Sequence, residues 1–138
     1  MDNFEKVRSS FGKLEYMHHP QAKLLRDLII KYDAQDILEI GFFHGKSSAY
    51  IASILEDLGR GHLVTLDRDT ARKRKPNIEQ VLSTLDLAHR VTPIFGPPVG
   101  RIIGKSNFKF GINNHRSNGP NSGHYPNLSR WQAMELNL

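Results

Sequence analysis

The sequence contains no cysteine, which excludes disulfide staples and thiolate metal sites. It also lacks long apolar runs. No stretch approaches the ~18 residues a membrane-spanning helix needs, and the start, Met1-Asp2-Asn3-Phe4-Glu5-Lys6, has no apolar leader core. A cytoplasmic protein with no membrane partner is therefore expected. Acid is scarce at one end of the chain. Beyond residue 96, Arg101, Lys105, Lys109, Arg116 and Arg130 face Glu135 alone, whereas residues 1–96 are nearly balanced. The net charge of +5 thus belongs mainly to the end of the chain, which makes a nucleic-acid partner for the core unlikely in charge terms. Metal-ligand spacing is missing as well. His18, His19, His44, His62, His89, His115 and His124 form no H-E-x-x-H or comparable pattern, so no metal is expected.

What is present suits one domain of modest core: 138 residues, 38% hydrophobic, mean hydropathy −0.46. Pro20 fits a first helical turn, and Leu24, Leu25, Leu28, Ile29 and Tyr32 recur at helical spacing, which predicts a helix over 20–32. Ile37-Leu38-Glu39-Ile40 reads as a buried parallel strand. Ala49, Ile51, Ala52, Ile54, Leu55 and Leu58 form a second helix, closed by Gly59. Leu63-Val64-Thr65-Leu66 is a second strand ending at Asp67. Pro76 is expected to open a third helix with Ile78, Val81, Leu82 and Leu85 on one face. Val91-Thr92-Pro93-Ile94-Phe95 is a third strand, flawed by its proline. Alternating helices and strands mean right-handed βαβ units and a parallel sheet: an α/β, Rossmann-like three-layer sandwich.

After Phe95 the pattern stops. Residues 97–138 are rich in Asn, Gly and Pro, and we expect an irregular basic tail there, with no further strand or helix. Its aromatics Phe108, Tyr125 and Trp131 read as packing residues or a small docking cluster.

The stretch between the first strand and the second helix carries the chemistry: Glu39-Ile40-Gly41-Phe42-Phe43-His44-Gly45-Lys46-Ser47-Ser48. In an open α/β sheet, ligands sit at the carboxyl ends of strands. Glycine lets backbone approach a ligand, and the helix start offers free N–H groups. Three ligand classes compete. A phosphate-wrapping loop needs four residues between its glycines, and here Gly41 and Gly45 enclose three, so Gly45-Lys46-Ser47 is one residue short. A dinucleotide loop needs glycine where Phe43 stands. The third class has the form Glu-x-Gly-x-x-x-Gly.

That form resembles motif I of class I S-adenosylmethionine-dependent methyltransferases. Residues 37–48 are especially similar to the branch with family-24-type and cephalosporin-hydroxylase-like members. The resemblance spans about residues 20–96, the front half of the usual domain. It implies S-adenosylmethionine as cofactor and a small-molecule oxygen or nitrogen acceptor. It implies Glu39 near the methionine amino group, directly or through water. Gly41, Phe42 and Gly45 would line the cofactor, Ser47 and Ser48 would meet the methionine carboxylate, and Asp67, with Arg68 beside it, would meet the ribose. No catalytic residue is assigned. Plain alternatives stand beside these roles: a strand-end acid on backbone N–H groups for Glu39, a tight turn for the glycines, and a cap for Asp67.

Three further features invite roles. Arg72-Lys73-Arg74-Lys75 reads chiefly as a solvated basic loop, with a nucleic-acid contact or targeting signal as the sharper alternative. His18-His19 precedes a helix in a region such methyltransferases often turn toward substrate, and His44 lies in the turn itself. The acidic segment the family carries around strand four is absent, since residues 97–138 contain no Asp. A shortened or frameshifted member is expected, with the tail boundary near residue 96. Its three parallel strands would leave a sheet edge open for a homodimer. A non-catalytic cofactor-binding remnant and a P-loop-like nucleotide binder are the competing functions.

Overall fold

The computed structural model describes residues 1–96, and the strands over 108–113 and 132–136 as backbone. The first element is one the sequence reading passed over. Helix α1, Asn3–Phe11, is polar and only nine residues long. Asp2 caps it by accepting from Glu5 N at 2.8 Å. Phe4 and Val7, three apart, are its buried face. The Asp57 carboxylate, from a later helix, accepts from Asn3 N and Phe4 N, both at 3.2 Å. A carboxylate on free N–H groups at a helix start is favourable both as hydrogen bonding and against the helix dipole. This helix forms through tertiary partners, which its own pattern does not advertise.

Helix α2, His19–Lys31, has Pro20 in its first turn and buries Ala22, Leu25 and Ile29. Strand β1, Asp36–Ile40, leads into helix α3, Lys46–Leu58. Helix α3 is buried at every position from Ser48 to Leu55, so it is the central helix of the core. Gly59, in the left-handed conformation with φ 70°, ends it. Strand β2, His62–Asp67, is followed by a 3₁₀ turn, Asp69–Lys73. Helix α4, Ile78–Thr84, begins two residues after Pro76, where it was expected. Asn77 caps it in a reciprocal pair with Gln80, a stronger start signal than the proline. Strand β3, Val91–Phe95, completes the alternating part.

The sheet order is β3-β2-β1-β4-β5. β1, β2 and β3 are parallel, as expected for a truncated Rossmann-like fold. Pro93 is accommodated because β3 pairs on one side only, with β2. Part of the stretch expected to be irregular departs from that reading. Phe108–Asn113 forms β4 and Gln132–Leu136 forms β5, both antiparallel, with β4 paired to β1. Phe108, Phe110 and Ile112 alternate with polar or small residues. That period-two signal is too short to stand out among the flanking Asn and Gly. β1 is therefore paired on both sides, and the outer strands are β3 and β5. Tyr125 and Trp131 lie outside the described residues.

Strand alternation sorts the side chains. Ile37, Leu63 and Val91 join the large core beneath the helices. Leu38 and Leu66 turn to the other face with the half-buried Ile40, Val64 and Ile94, a cluster that contains strand residues alone. Among the described residues, no helix is long and apolar enough to cross a membrane.

Candidate functional site

Alternation also places Glu39 and Thr65, register partners on β1 and β2, on the helix-facing side of the sheet. Glu39 is completely buried. Its carboxylate accepts from Ser47 Oγ at 2.7 Å, from Thr65 Oγ1 at 2.6 Å and, at close range, from Ser48 Oγ. Burial pushes the Glu39 carboxyl above its ordinary value, and the three hydroxyls pull against that. A buried carboxylate is tolerable only when so satisfied. Among the described residues, the partners of the Glu39 carboxylate are these three hydroxyls. It ties the first turn of α3 to the sheet, and it holds the hydroxyls of Ser47 and Ser48 as its own donors. The N-terminal N–H groups of α3 remain the polar groups of that turn that intrahelical bonding does not use.

The turn itself is shaped by two glycines and one aspartate. Gly41 has φ +85° and donates its N–H to Leu66 O at 2.7 Å. A Cβ there would meet nothing within 4 Å, so open space lies over it. Gly45 has φ +90°, and a Cβ there would fall 2.7 Å from Ile78 Cγ1, at the start of α4. One glycine thus faces open space and the other closes a packing contact. Between them Phe43 takes the left-handed conformation, φ +54°, unusual for an aromatic residue. Asp67, at the end of β2, supports it. Its Oδ2 accepts from Phe42 N at 3.0 Å and Phe43 N at 2.9 Å, and its Oδ1 from Arg68 N at 2.7 Å. A carboxylate has about four acceptor positions, so one lone pair of the half-buried Asp67 is left over. Phe42 is buried edge-on against Phe95, ring centroids 5.4 Å apart. Arg68 is exposed.

Lys46 settles what kind of loop this is. It is 2% exposed, and its Nζ donates to Gly12 O at 2.9 Å and Leu14 O at 2.7 Å. Desolvation lowers its pKa. In a phosphate loop the lysine reaches the ligand. Here it turns inward and fastens the α1–α2 connection to α3. The P-loop reading fails on this geometry as well as on spacing.

Other partners of the turn were not foreseen. The Arg74 guanidinium lies over the Phe43 ring, 3.5 Å from its centroid, and Arg72 over Phe95 at 4.0 Å. Tyr16, largely exposed, meets the Phe43 edge at 5.1 Å. His44 Nδ1 is 2.7 Å from Pro76 O. A carbonyl only accepts, so that nitrogen carries the proton. The two histidines before α2 part ways. His18 is exposed at the helix cap, while His19 packs on Phe4 and Tyr50 with neither ring nitrogen hydrogen-bonded. Thr65 was legible in principle as a polar residue at an inward position of a strand. Lys46 and Arg74 depend on distant chain and carry no local signal.

A family described as a methyltransferase domain matches residues 38–102. No curated protein matches. Solved structures do. A Klebsiella pneumoniae protein described as an O-methyltransferase is 25% identical with a TM-score of 0.56, over 72% of this chain and 46% of that one. A Staphylococcus aureus protein described as a caffeoyl-CoA O-methyltransferase is 26% identical with a TM-score of 0.54, over 70% and 45%. The Podospora anserina methyltransferase PaMTH1, solved with S-adenosylhomocysteine, shares the fold at 21% identity and a TM-score of 0.52, over 77% and 45%. The chain spans less than half the length of each of these proteins.

Proposed function

We propose that this chain carries the front part of a class I S-adenosylmethionine-dependent methyltransferase domain, that the Gly41–Ser48 turn binds S-adenosylmethionine and that the protein methylates a small-molecule oxygen or nitrogen acceptor. The observation that carries this reading is the Asp67 carboxylate gripping the Phe42 and Phe43 N–H groups beneath the opening over Gly41. It ties the ends of β1 and β2 together and keeps an acceptor lone pair for a ribose hydroxyl.

The residues present fit the cofactor unevenly. Gly41 and Asp67 suit its ribose and backbone approach. The N–H groups opening α3 suit its methionine carboxylate. Glu39 supports the turn through its bonds to Ser47 and Thr65. When bound, S-adenosylmethionine supplies an electrophilic methyl group on a sulfonium. The chain's part is to hold that group in line with an acceptor, and such alignment accounts for much of the barrier lowering in two-substrate reactions. The residues that seat the acceptor and accept its proton are not assigned.

Calorimetry tests this directly. S-adenosylhomocysteine is expected to bind the chain saturably, and ATP–Mg²⁺ not to bind. Gly41→Arg, which fills the opening, is expected to abolish S-adenosylhomocysteine binding. Unchanged affinity would reject the site. Binding without turnover on any acceptor would leave the cofactor-binding remnant as the function.

A further inference from the structure

We propose that the cations following β2, centred on Arg74, form a subsite for an anionic group, phosphate or carboxylate, carried by the methyl acceptor. This rests on the reading above for its acceptor and on separate observations for its anion. Arg68 and the run Arg72-Lys73-Arg74-Lys75 have only Asp67 and Asp69 as acids within their own stretch. Asp67 is committed to three backbone N–H groups, and Asp69 pairs with Arg72 at 3.0 Å. Among the described residues, Arg68, Lys73, Arg74 and Lys75 have no carboxylate partner.

A basic run of this kind usually trails in solvent. This one is fastened to the Gly41–Ser48 turn at both ends and in the middle. Asp67, before it, holds the Phe42 and Phe43 N–H groups. Arg74 lies 3.5 Å over the Phe43 ring. Pro76 O, after it, accepts from His44 in the same turn. A guanidinium carries a planar fork of N–H donors, which matches a carboxylate or phosphate with two parallel bonds. The Arg74 Nε is buried without a hydrogen-bond partner, so the group is not already satisfied by the protein. Tyr16 also packs against Phe43, ring centroids 5.1 Å apart.

The charge sign assigns the anion to the acceptor. S-adenosylmethionine brings its own sulfonium and ammonium, which a cationic rim repels, and its one carboxylate is met at the start of α3. A polyanion such as RNA fits less well. Residues 1–96 are nearly charge-balanced.

The test uses the full chain, followed by heteronuclear NMR, with and without S-adenosylhomocysteine. The probes are phenyl phosphate, phenol and a single-stranded oligonucleotide. Phenyl phosphate is expected to saturate, shifting the Phe43 amide and those of residues 72–75, and phenol to bind about tenfold more weakly. Arg74→Gln is expected to bring phenyl phosphate down to the level of phenol. The pair K73Q/K75Q leaves the Phe43 stack in place and is expected to weaken phenyl phosphate about threefold. Equal binding of the two phenyl compounds overturns the proposal, as does full affinity in Arg74→Gln. An oligonucleotide that displaces phenyl phosphate with a steep salt dependence also overturns it and assigns the run to a polyanion. Failure of S-adenosylhomocysteine to bind would sink the cofactor reading alone, because the phenyl phosphate arms are judged without it.

Discussion

On the α3 side of the Gly41–Ser48 turn, the polar groups answer one another out of water. Glu39 takes three hydroxyls, and Lys46 takes two carbonyls. On the β2 side, Asp67 keeps an unused lone pair, and the cations beyond it stand half-exposed or exposed. One turn thus has a flank that is scaffold and a flank equipped to recognise. The motif residues Glu39, Ser47 and Ser48 fall on the first, although the motif resemblance groups them with Asp67 as partners of a ligand. Substitutions on the first flank should register as lost stability, and those on the second as lost affinity.

The sharpest way to break this contrast is Glu39→Ala. It strands three hydroxyls and opens a cavity, and the expected cost is about 3–5 kcal/mol in urea unfolding. A loss below about 1 kcal/mol accompanied by loss of S-adenosylhomocysteine binding would move Glu39 to the recognition flank. Asp67→Asn should show the reverse balance: about 1 kcal/mol of stability, but about tenfold in S-adenosylhomocysteine affinity by calorimetry. Equal affinity would make Asp67 a strut of the turn and nothing more.

The smallest effect concerns pH. Burial lowers the pKa of His19, helped by Arg8, Lys23 and Arg26 and opposed by Glu5. A base whose folded pKa is depressed resists protonation in the folded state. Its contribution is intact above the ordinary histidine value of 6.5 and is lost as pH falls below it toward the folded value. The urea midpoint should therefore decline from about pH 7 to pH 5, and His19→Gln should flatten that decline. Glu39 works the other way. Its raised pKa makes stability greatest below the ordinary glutamate value and lower as pH climbs through the folded value. A midpoint that rises on acidification would mean that Glu39 outweighs His19.

Helices α2 and α3 and strands β1, β2 and β3 were legible because each carries its own period, and the turn was legible because a strand end, two glycines and a distant acid form a recognisable set. Helix α1 was not, since Phe4 and Val7 are buried by α3 and its first N–H groups are held by Asp57. Strands β4 and β5 were not, since six and five residues amid Asn and Gly carry too little pattern. The site divides the same way. That Glu39 would face hydroxyls followed from strand alternation and the Glu39–Thr65 register, which only the pairing reveals. That Lys46 would bury its ammonium rested on carbonyls more than thirty positions away.

The Lys46 bonds to Gly12 and Leu14 make the residues between α1 and α2 structural partners of the turn. Removing them would leave an ammonium in the interior with no carbonyl to meet. The first turn of α3 would then have to rearrange to bring that charge back to water.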